Sequence, residues 1–335
     1  MRIALYYPDG LPESFQVCAN NIAQELEMLG TTVIKFDSAS AVPAGVDAIW
    51  DPRAGGGNAP IKALCGLTAP LLVTLHGVAP MAIPLREYYG SLRQQYRGWR
   101  LNNKKIAAWR RAKGSYGAVV TVSESSRESI LDALPIDPSS ISWCHNAVNH
   151  AQFTANAALA QADYFLHVSN DEPRKNVERI CQAYRELPRE GRPRLVLKLP
   201  ADSTRSSEDG IEVINTRLDD AQLLSLYHNA LAFVFPSTFE GFGLPIVEAM
   251  ASGCPVITSN THACGEVAAD AALVVDPAST EALKDAMQSL SSDTALRASL
   301  RLAGLERAQM FRWSNAAQHY QSVFQRLVEL AITPD

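Results

Sequence analysis

Two glutamates, Glu240 and Glu248, stand eight positions apart in the run "FVFPSTFEGFGLPIVEAMASGCPVITSN", residues 233 to 260. Between them lie Gly241-Phe242-Gly243, Leu244 and Pro245. Carboxylates accept hydrogen bonds from vicinal hydroxyls. Glycines let a backbone come close to a ligand, and free N–H groups at a helix start attract anions. The pattern suits a ligand with two polyol parts and a phosphate between them, as in a sugar nucleotide. The residues alone leave a second reading open, in which Glu240 is a loop charge and Glu248 a solvated helix residue. A single G-x-G is a weak signal. No G-x-G-x-x-G follows a strand, so a dinucleotide dehydrogenase is not supported.

Other residues could join such a site. Arg174 and Lys175 in "PRKNVERICQAY" stand at a strand-to-helix junction, where cations meet phosphates; the alternative is a surface lysine. His76 follows the apolar run "LLVTL" and is either a ligand contact or a satisfied core histidine. Gly55 to Gly57 in "RAGGGNAP" read as a flexible turn rather than an acceptor-side loop. His145 and His150 have no cysteine or carboxylate partners at ligand spacing, and no metal is expected.

The elements that must position these groups alternate. "RIALYY" (2–7), "TTVIKF" (31–36), "DAIW" (47–50), "LLVTL" (71–75) and "AVVTV" (118–122) are strand candidates in the first half. "YFLHV" (164–168), "RLVLKL" (194–199), "IEVI" (211–214), "LAFVF" (231–235), "PVIT" (255–258) and "ALVV" (272–275) follow in the second. They are continuous apolar runs, as in parallel sheets covered on both faces. Phe15, Cys18, Ile22, Leu26 and Leu29 keep helical spacing, with Ser14 as the expected N-cap and Gly30 closing the helix. Pro245 suits the first turn of a helix, Ile246, Ala249 and Met250 share its core face, and Glu248 points away from that face. Helices are also expected at 279–290, 293–309 and 314–331. Repeated β-α units argue for two doubly wound α/β domains, with ligands at the C-terminal ends of the strands.

At 335 residues, 47% of them hydrophobic, the chain can bury two cores. The net charge of -5 divides unevenly, with 14 Lys/Arg against 12 Asp/Glu in residues 1–155 and 16 against 23 thereafter. That balance does not suit a nucleic-acid binder. Six scattered cysteines with no C-x-x-C pair fit buried thiols in a reducing compartment. The first residues run straight into a strand, without the pattern of a signal peptide. No apolar run reaches the roughly 18 residues of a membrane span. Residues 81–113 hold nine Lys/Arg and one Glu, interleaved with Tyr88, Tyr89, Tyr96, Trp99 and Trp109. One reading is a face for an anionic lipid surface or anionic acceptor; the other is a solvated helix and loop with some aromatics packed inward.

The run 233–260 resembles the donor-site signature of retaining GT-B glycosyltransferases of the large E-x7-E family. "PRKNVERICQAY" (173–184), "TVSESSRESI" (121–130), "TLHG" (74–77), "GEVAADAALVVDP" (265–277) and "FRWSNAAQHYQSVF" (311–324) resemble further family segments in the right order. The match is strong in the C-terminal domain and looser in the N-terminal one. The resemblance implies an α/β GT-B fold of two Rossmann-like domains facing across a cleft. The expected boundaries are 1–155, an acceptor-side domain; 156–312, a donor-nucleotide domain; and 313–335, a helix packing back on the first. It implies that Glu240 contacts the donor sugar beside the reacting centre and that His76 faces that sugar. The backbone of Gly241, Phe242, Gly243 and Leu244 would line sugar and phosphate, and Glu248 would hold the ribose. Lys175, helped by Arg174, would neutralise the diphosphate, with Gly10 near it.

One departure stands out. The family's usual arginine, five or six residues before the lysine, is replaced by Asn170 and Ser169. Either Arg174 or Lys198 substitutes, or leaving-group stabilisation is weaker. The resemblance implies a metal-independent enzyme without a cofactor, moving a sugar from a nucleotide-diphosphate sugar to a saccharide or lipid-linked acceptor with retention of configuration. It would serve cell-surface polysaccharide synthesis and work in the cytoplasm or on the inner membrane face. A sugar-nucleotide epimerase or hydrolase and a non-catalytic regulatory subunit are the alternatives.

Overall fold

The computed structural model describes residues 1–89, 91–155 and 163–332. The chain separates into two compact units, Met1–Asn146 with the residues from Arg312 onward, and Ala147–Phe311. The division falls at 146/147, ahead of the position 155 expected from sequence, because the segment after Asn146 packs on the second unit. Val148 N–H donates to the Phe311 carbonyl (3.4 Å), and the Phe153 ring meets Tyr227 edge-on. Residues 156–162, where the expected second domain begins, lie outside the described residues.

The first unit holds β1 (Arg2–Tyr6), α1 (Glu13–Met28), β2 (Thr32–Phe36), β3 (Ala48–Ala54) and β4 (Leu71–Leu75). Then come α2 (Ala79–Ala82), α3 (Leu85–Tyr88), α4 (Leu92–Ala112), β5 (Ala118–Thr121), α5 (Glu124–Ala133) and β6 (Ile141–Trp143). Its sheet has the order β2-β1-β3-β4-β5-β6, with every pairing parallel. All five residues of β4 are buried, as a strand covered on both faces requires. The sequence reading missed β6, whose three residues "ISW" carry too little apolar pattern to register. It also misplaced the start of α1. Pro12, not Ser14, takes the cap position, and its carbonyl accepts from Phe15 and Gln16 N–H, so the helix begins two residues earlier without a side-chain cap.

The second unit holds β7 (Tyr164–Val168), α6 (Val177–Arg185), β8 (Arg194–Lys198), β9 (Ile211–Ile214), α7 (Asp220–Asn229) and β10 (Ala232–Phe235). It continues with α8 (Leu244–Ala251), β11 (Val256–Ser259), α9 (His262–Ala268), β12 (Leu273–Val275), α10 (Thr280–Ser292) and α11 (Thr294–Ala308). The sheet order is β12-β11-β10-β7-β8-β9, again parallel. The last helix, α12 (Trp313–Ile332), belongs to the first unit and packs on α1. Its Tyr320 hydroxyl lies 2.7 Å from Thr74 Oγ1, which in turn accepts from Trp50 Nε1 at 2.8 Å.

Both sheets reverse their strand order once, between β1 and β3 in the first unit and between β7 and β10 in the second. At such a point the connections leave in opposite directions and open a crevice beyond the strand ends, the place where open α/β sheets bind ligands.

Candidate functional site

In the second unit, two segments meet at the switch point. One follows β7 and carries Arg174 and Lys175 in a single 3-10 turn, Pro173–Lys175. The other follows β10 and runs from Pro236 to Gly243, where α8 begins. Asn176 ties them together. It adopts a left-handed conformation (φ 62°), and its amide donates to the carbonyls of Pro236 (3.0 Å) and Pro277 (2.8 Å).

Glu240 is 8% exposed and sits at the centre. Its Oε1 accepts from Lys175 Nζ at 2.6 Å, Arg174 Nη1 at 2.8 Å and the Ser237 hydroxyl at 2.7 Å. Its Oε2 has no protein partner among the described residues. Burial alone would raise the carboxyl; the charges of Lys175 and Arg174, with hydrogen bonds from Lys175 and Ser237, overcome that and hold it below the usual range. Arg174 is fixed by Nε to Glu172 (2.6 Å) and by Nη1 to the Phe239 carbonyl (3.0 Å) as well as to Glu240. Its Nη2 makes no hydrogen bond among the described residues. Lys175 lies over the Phe235 ring, 4.8 Å from the centroid. Two cations against one buried carboxylate leave a positive excess, which the half-exposed Glu172 offsets in part.

The positions without the family's arginine are satisfied internally. Asn170 donates to Glu172 at 2.9 Å, and Ser169 Oγ lies 2.6 Å from His167 Nε2. Lys198 donates to the neighbouring Leu199 carbonyl (2.7 Å), whereas Arg174 stands in the ion cluster beside Glu240.

Gly243 has φ 102°, a conformation that glycine adopts without strain, and Pro245 occupies the first turn of α8. Phe242 is buried and meets Phe311 edge-on. Glu248 does not stand in open solvent. Its Oε2 accepts from the Tyr227 hydroxyl at 3.0 Å. Burial pushes its carboxyl up to about 7, the Tyr227 hydrogen bond pulls down and Asp220 adds to the rise. Ser237 and Tyr227 were not singled out from the sequence. The only signal for Ser237 was its place two residues past β10, and for Tyr227 its place on the core face of a helix.

The first unit builds differently at its own switch point. His76 follows β4, and its ring stacks on Phe15 of α1, with centroids 3.9 Å apart and planes 9° from parallel. Its Nε2 lies 2.7 Å from the Pro52 carbonyl. A carbonyl only accepts, so Nε2 carries the proton and Nδ1 keeps a lone pair. Burial lowers the imidazole to about 4, against a smaller opposing effect of the Pro52 bond. Gly55 leaves room for the stack, since a Cβ there would fall 2.5 Å from Phe15 Cζ. Gly10 has φ 75° in the turn after β1, with open space where a side chain would go.

The basic stretch 81–113 is mostly α4, which is not a freely solvated helix on every side. Lys105 donates to the Gly56 carbonyl (2.6 Å), Trp109 Nε1 to the Gly57 carbonyl (3.1 Å) and Asn102 to the Pro80 carbonyl (2.6 Å). Tyr89 packs against Gly98. Leu92, Tyr96 and Trp99 face outward at 82%, 59% and 54% exposure, with the two rings stacked 6.0 Å apart.

All six cysteines are free. Among the described residues no group of three or more His, Cys, Asp or Glu side chains could hold a metal ion, and no helix is long and apolar enough to cross a membrane.

Comparison with known proteins gives the class. Residues 203–307 match the family described as Glycosyl transferases group 1, and residues 44–152 match Glycosyltransferase Family 4. The chain superposes on sucrose-phosphate synthase from Thermosynechococcus elongatus with a TM-score of 0.77 at 18% identity, covering 98% of this chain and 99% of that one. It superposes on WaaG, a glycosyltransferase involved in lipopolysaccharide biosynthesis, with a TM-score of 0.67 at 15% identity, covering 97% and 99%. The fold is that of the GT-B glycosyltransferases, and both family matches, over separate stretches of the chain, support a glycosyltransferase.

More particularly, it is 38% identical over 170 residues to the O-antigen chain mannosyltransferase B of Escherichia coli, covering 47% of this chain and 44% of that protein. It is 26% identical over 297 residues to the serotype-specific mannosyltransferase WbdA of Escherichia coli, covering 81% and 34%. The chain thus spans less than half the length of these two relatives.

Proposed function

We propose that the chain transfers a sugar from a nucleotide-diphosphate sugar to a saccharide or lipid-linked saccharide hydroxyl, with retention of configuration. The names of the relatives favour mannose as the sugar and a cell-surface polysaccharide as the product. One observation carries the reading. Among the described residues, Glu240 Oε1 takes three donors while Oε2 takes none, beside an arginine whose Nη2 makes no hydrogen bond. A carboxylate held that rigidly is set to orient sugar hydroxyls, and the adjacent cations are set to meet a diphosphate.

On this reading Lys175 and Arg174 stabilise the negative charge that grows on the departing diphosphate, with Arg174 in place of the family's missing arginine. Glu240 orients the sugar as its anomeric carbon gains oxocarbenium character. The backbone of Gly241 to Leu244 lines sugar and phosphate, Glu248 holds the ribose diol and Gly10 lies near the diphosphate. His76 offers its Nδ1 lone pair to a sugar hydroxyl. Its low pKa suits a hydrogen-bonding rather than a proton-transferring role at neutral pH.

The test is incubation with UDP-, GDP- and ADP-sugars, with and without saccharide and lipid-linked acceptors, following nucleotide release and product. Acceptor-dependent release with an α-linked product from an α-linked donor supports the proposal. Release without an acceptor product supports hydrolysis instead, and binding without turnover supports a regulatory role.

A second observation extends the reading to location. The outward ridge Leu92, Tyr96 and Trp99 lies beside Arg93, Arg97, Arg100 and Lys104 on α4, an apolar edge flanked by cations. This face suits an anionic lipid surface on the cytoplasmic side, where lipid-linked acceptors are met. Liposome flotation at low salt checks it, and equal recovery with neutral and anionic vesicles rules it out.

A further inference from the structure

Tyr227 is a residue whose role the donor reading does not by itself require. It lies on α7 with no exposed surface. Its ring is held edge-on against Phe153 (centroids 6.1 Å apart, 72°) and Phe233 (5.4 Å, 71°). With the ring fixed on two sides the hydroxyl has a fixed position, and it donates to Glu248 Oε2 at 3.0 Å. Glu248 Oε1 has no partner among the described residues. The last torsion of a glutamate is broad when nothing constrains it, so a phenol at a fixed point selects one orientation of the carboxylate. It also leaves the second oxygen available.

We propose that Tyr227 is a positioning residue for the donor nucleotide, fixing the Glu248 carboxylate so that Oε1 and the remaining lone pair of Oε2 meet the two ribose hydroxyls. The inference rests on the reading of Glu248 as the ribose-binding group. The hydrogen bond also has an electrostatic side. It favours the charged carboxylate and so opposes the effect of burial, which raises the carboxyl to about 7. Asp220, also on α7, raises it further. Of the other charged or titratable groups on helices packed against α8, Arg301 and Arg307 of α11 donate to the carbonyls of Gly253 and of Val267 and Glu266. His262 and Glu266 lie on α9, and none of these four shifts Glu248. Nucleotide affinity that depends on the ionised carboxylate therefore falls as pH drops through about 7. Without the phenol the midpoint of that fall moves to higher pH.

The experiment is calorimetric titration of GDP and UDP, and of their 2′,3′-dideoxy forms, from acid to alkaline pH into wild type, Tyr227→Phe and Glu248→Gln. Phenylalanine keeps the ring packing, and thermal melting checks that the fold is retained. The expected result is a loss of roughly tenfold in affinity for the better-bound ribonucleotide at pH 7 in Tyr227→Phe. The dideoxy form should bind this variant as it binds wild type, and the pH midpoint should rise. Glu248→Gln should lose the ribose preference and keep only the pH dependence of the phosphates. Equal losses for ribo- and dideoxynucleotides in Tyr227→Phe, or no loss at all, with Glu248→Gln still weakened, would overturn the role of Tyr227 and leave the ribose reading standing. Undiminished ribonucleotide binding by Glu248→Gln would overturn the ribose reading itself.

Discussion

Each unit gathers its candidate groups at the same topological place, the crevice where strand order reverses, yet the two are built on opposite electrostatics. The second unit places two cations around a buried carboxylate, with a further carboxylate, Glu248, on the following helix. The first presents a neutral imidazole clamped by a phenyl ring, with glycines around it. Charge does the positioning in one and shape does it in the other. A charged cluster responds steeply to the loss of any member, because the partners left behind are buried without compensation. A packed ring responds through geometry and protonation, which is a gentler dependence. On the proposed function, the same contrast would give the units different parts, one meeting a departing anion and the other hydrogen-bonding a neutral sugar.

The largest expected effect is at the centre of the charged cluster. Glu240→Gln should lower turnover by about a hundredfold or more. It should also cost on the order of 3 kcal/mol of stability, since Arg174 and Lys175 lose their shared counter-charge. Added nucleotide diphosphate should recover part of that loss in a thermal melt, because it brings its own negative charge. Wild-type turnover in this variant would break the contrast at its strongest point.

Next comes the choice between cations. Arg174→Gln should weaken diphosphate binding by about 1.5 to 3 kcal/mol, the worth of a charge-assisted hydrogen bond. Lys198→Gln should change it little, and calorimetry with both variants would reverse the assignment if Lys198 proved the stronger.

In the first unit, Phe15→Ala should expose His76 to water and move its pKa from about 4 toward 6.5, read by NMR of the labelled ring. Turnover should fall several-fold, and more at pH 5 than at pH 8, because the imidazole then gains a proton. An unmoved pKa would show that the stack is not what keeps the ring neutral.

Glu248 gives a smaller, signed effect on stability. Its folded pKa is raised, so between about 4.5 and 7 the folded state binds more protons than the unfolded one. Stability from this group is therefore present at acid pH and declines as pH rises through that window. Glu248→Gln should gain on wild type as pH rises from 4.5 to 7, by thermal melting. The smallest effect belongs to the outward ridge of α4. Replacing Tyr96 and Trp99 with serine should shift stability by about 0.5 kcal/mol or less while reducing recovery on anionic liposomes.

The charged half was the more legible half, and the reason is chemical. Glu240 and Glu248 flank a glycine turn and Arg174 and Lys175 stand at a strand-to-helix junction, charged residue types in places where the family resemblance could mark them one by one. The structure brings Glu240, Arg174 and Lys175 into one cluster. His76 could be marked only by its place after a strand, because Phe15 lies 61 positions away and its stacking leaves no local pattern. Tyr227 was invisible for a related reason. An aromatic on the core face of a helix looks the same whether or not its hydroxyl has a task. The parallel strands were legible as continuous apolar runs, while the three-residue β6 was too short to show. The start of α1 was misplaced because a serine is a familiar cap, and here a proline's carbonyl begins the ladder instead.

Lys105 and Trp109 give α4 a mechanical character. Both reach from the helix to carbonyls of the glycine loop after β3, so the helix acts as a strut braced against the end of the sheet. A force on its outer surface reaches, through these two hydrogen bonds among others, Gly56 and Gly57, which hold left-handed backbone and, as glycines, carry no side chains with which to resist. The exposed face of α4 and the glycine loop after β3 are thus two ends of one lever.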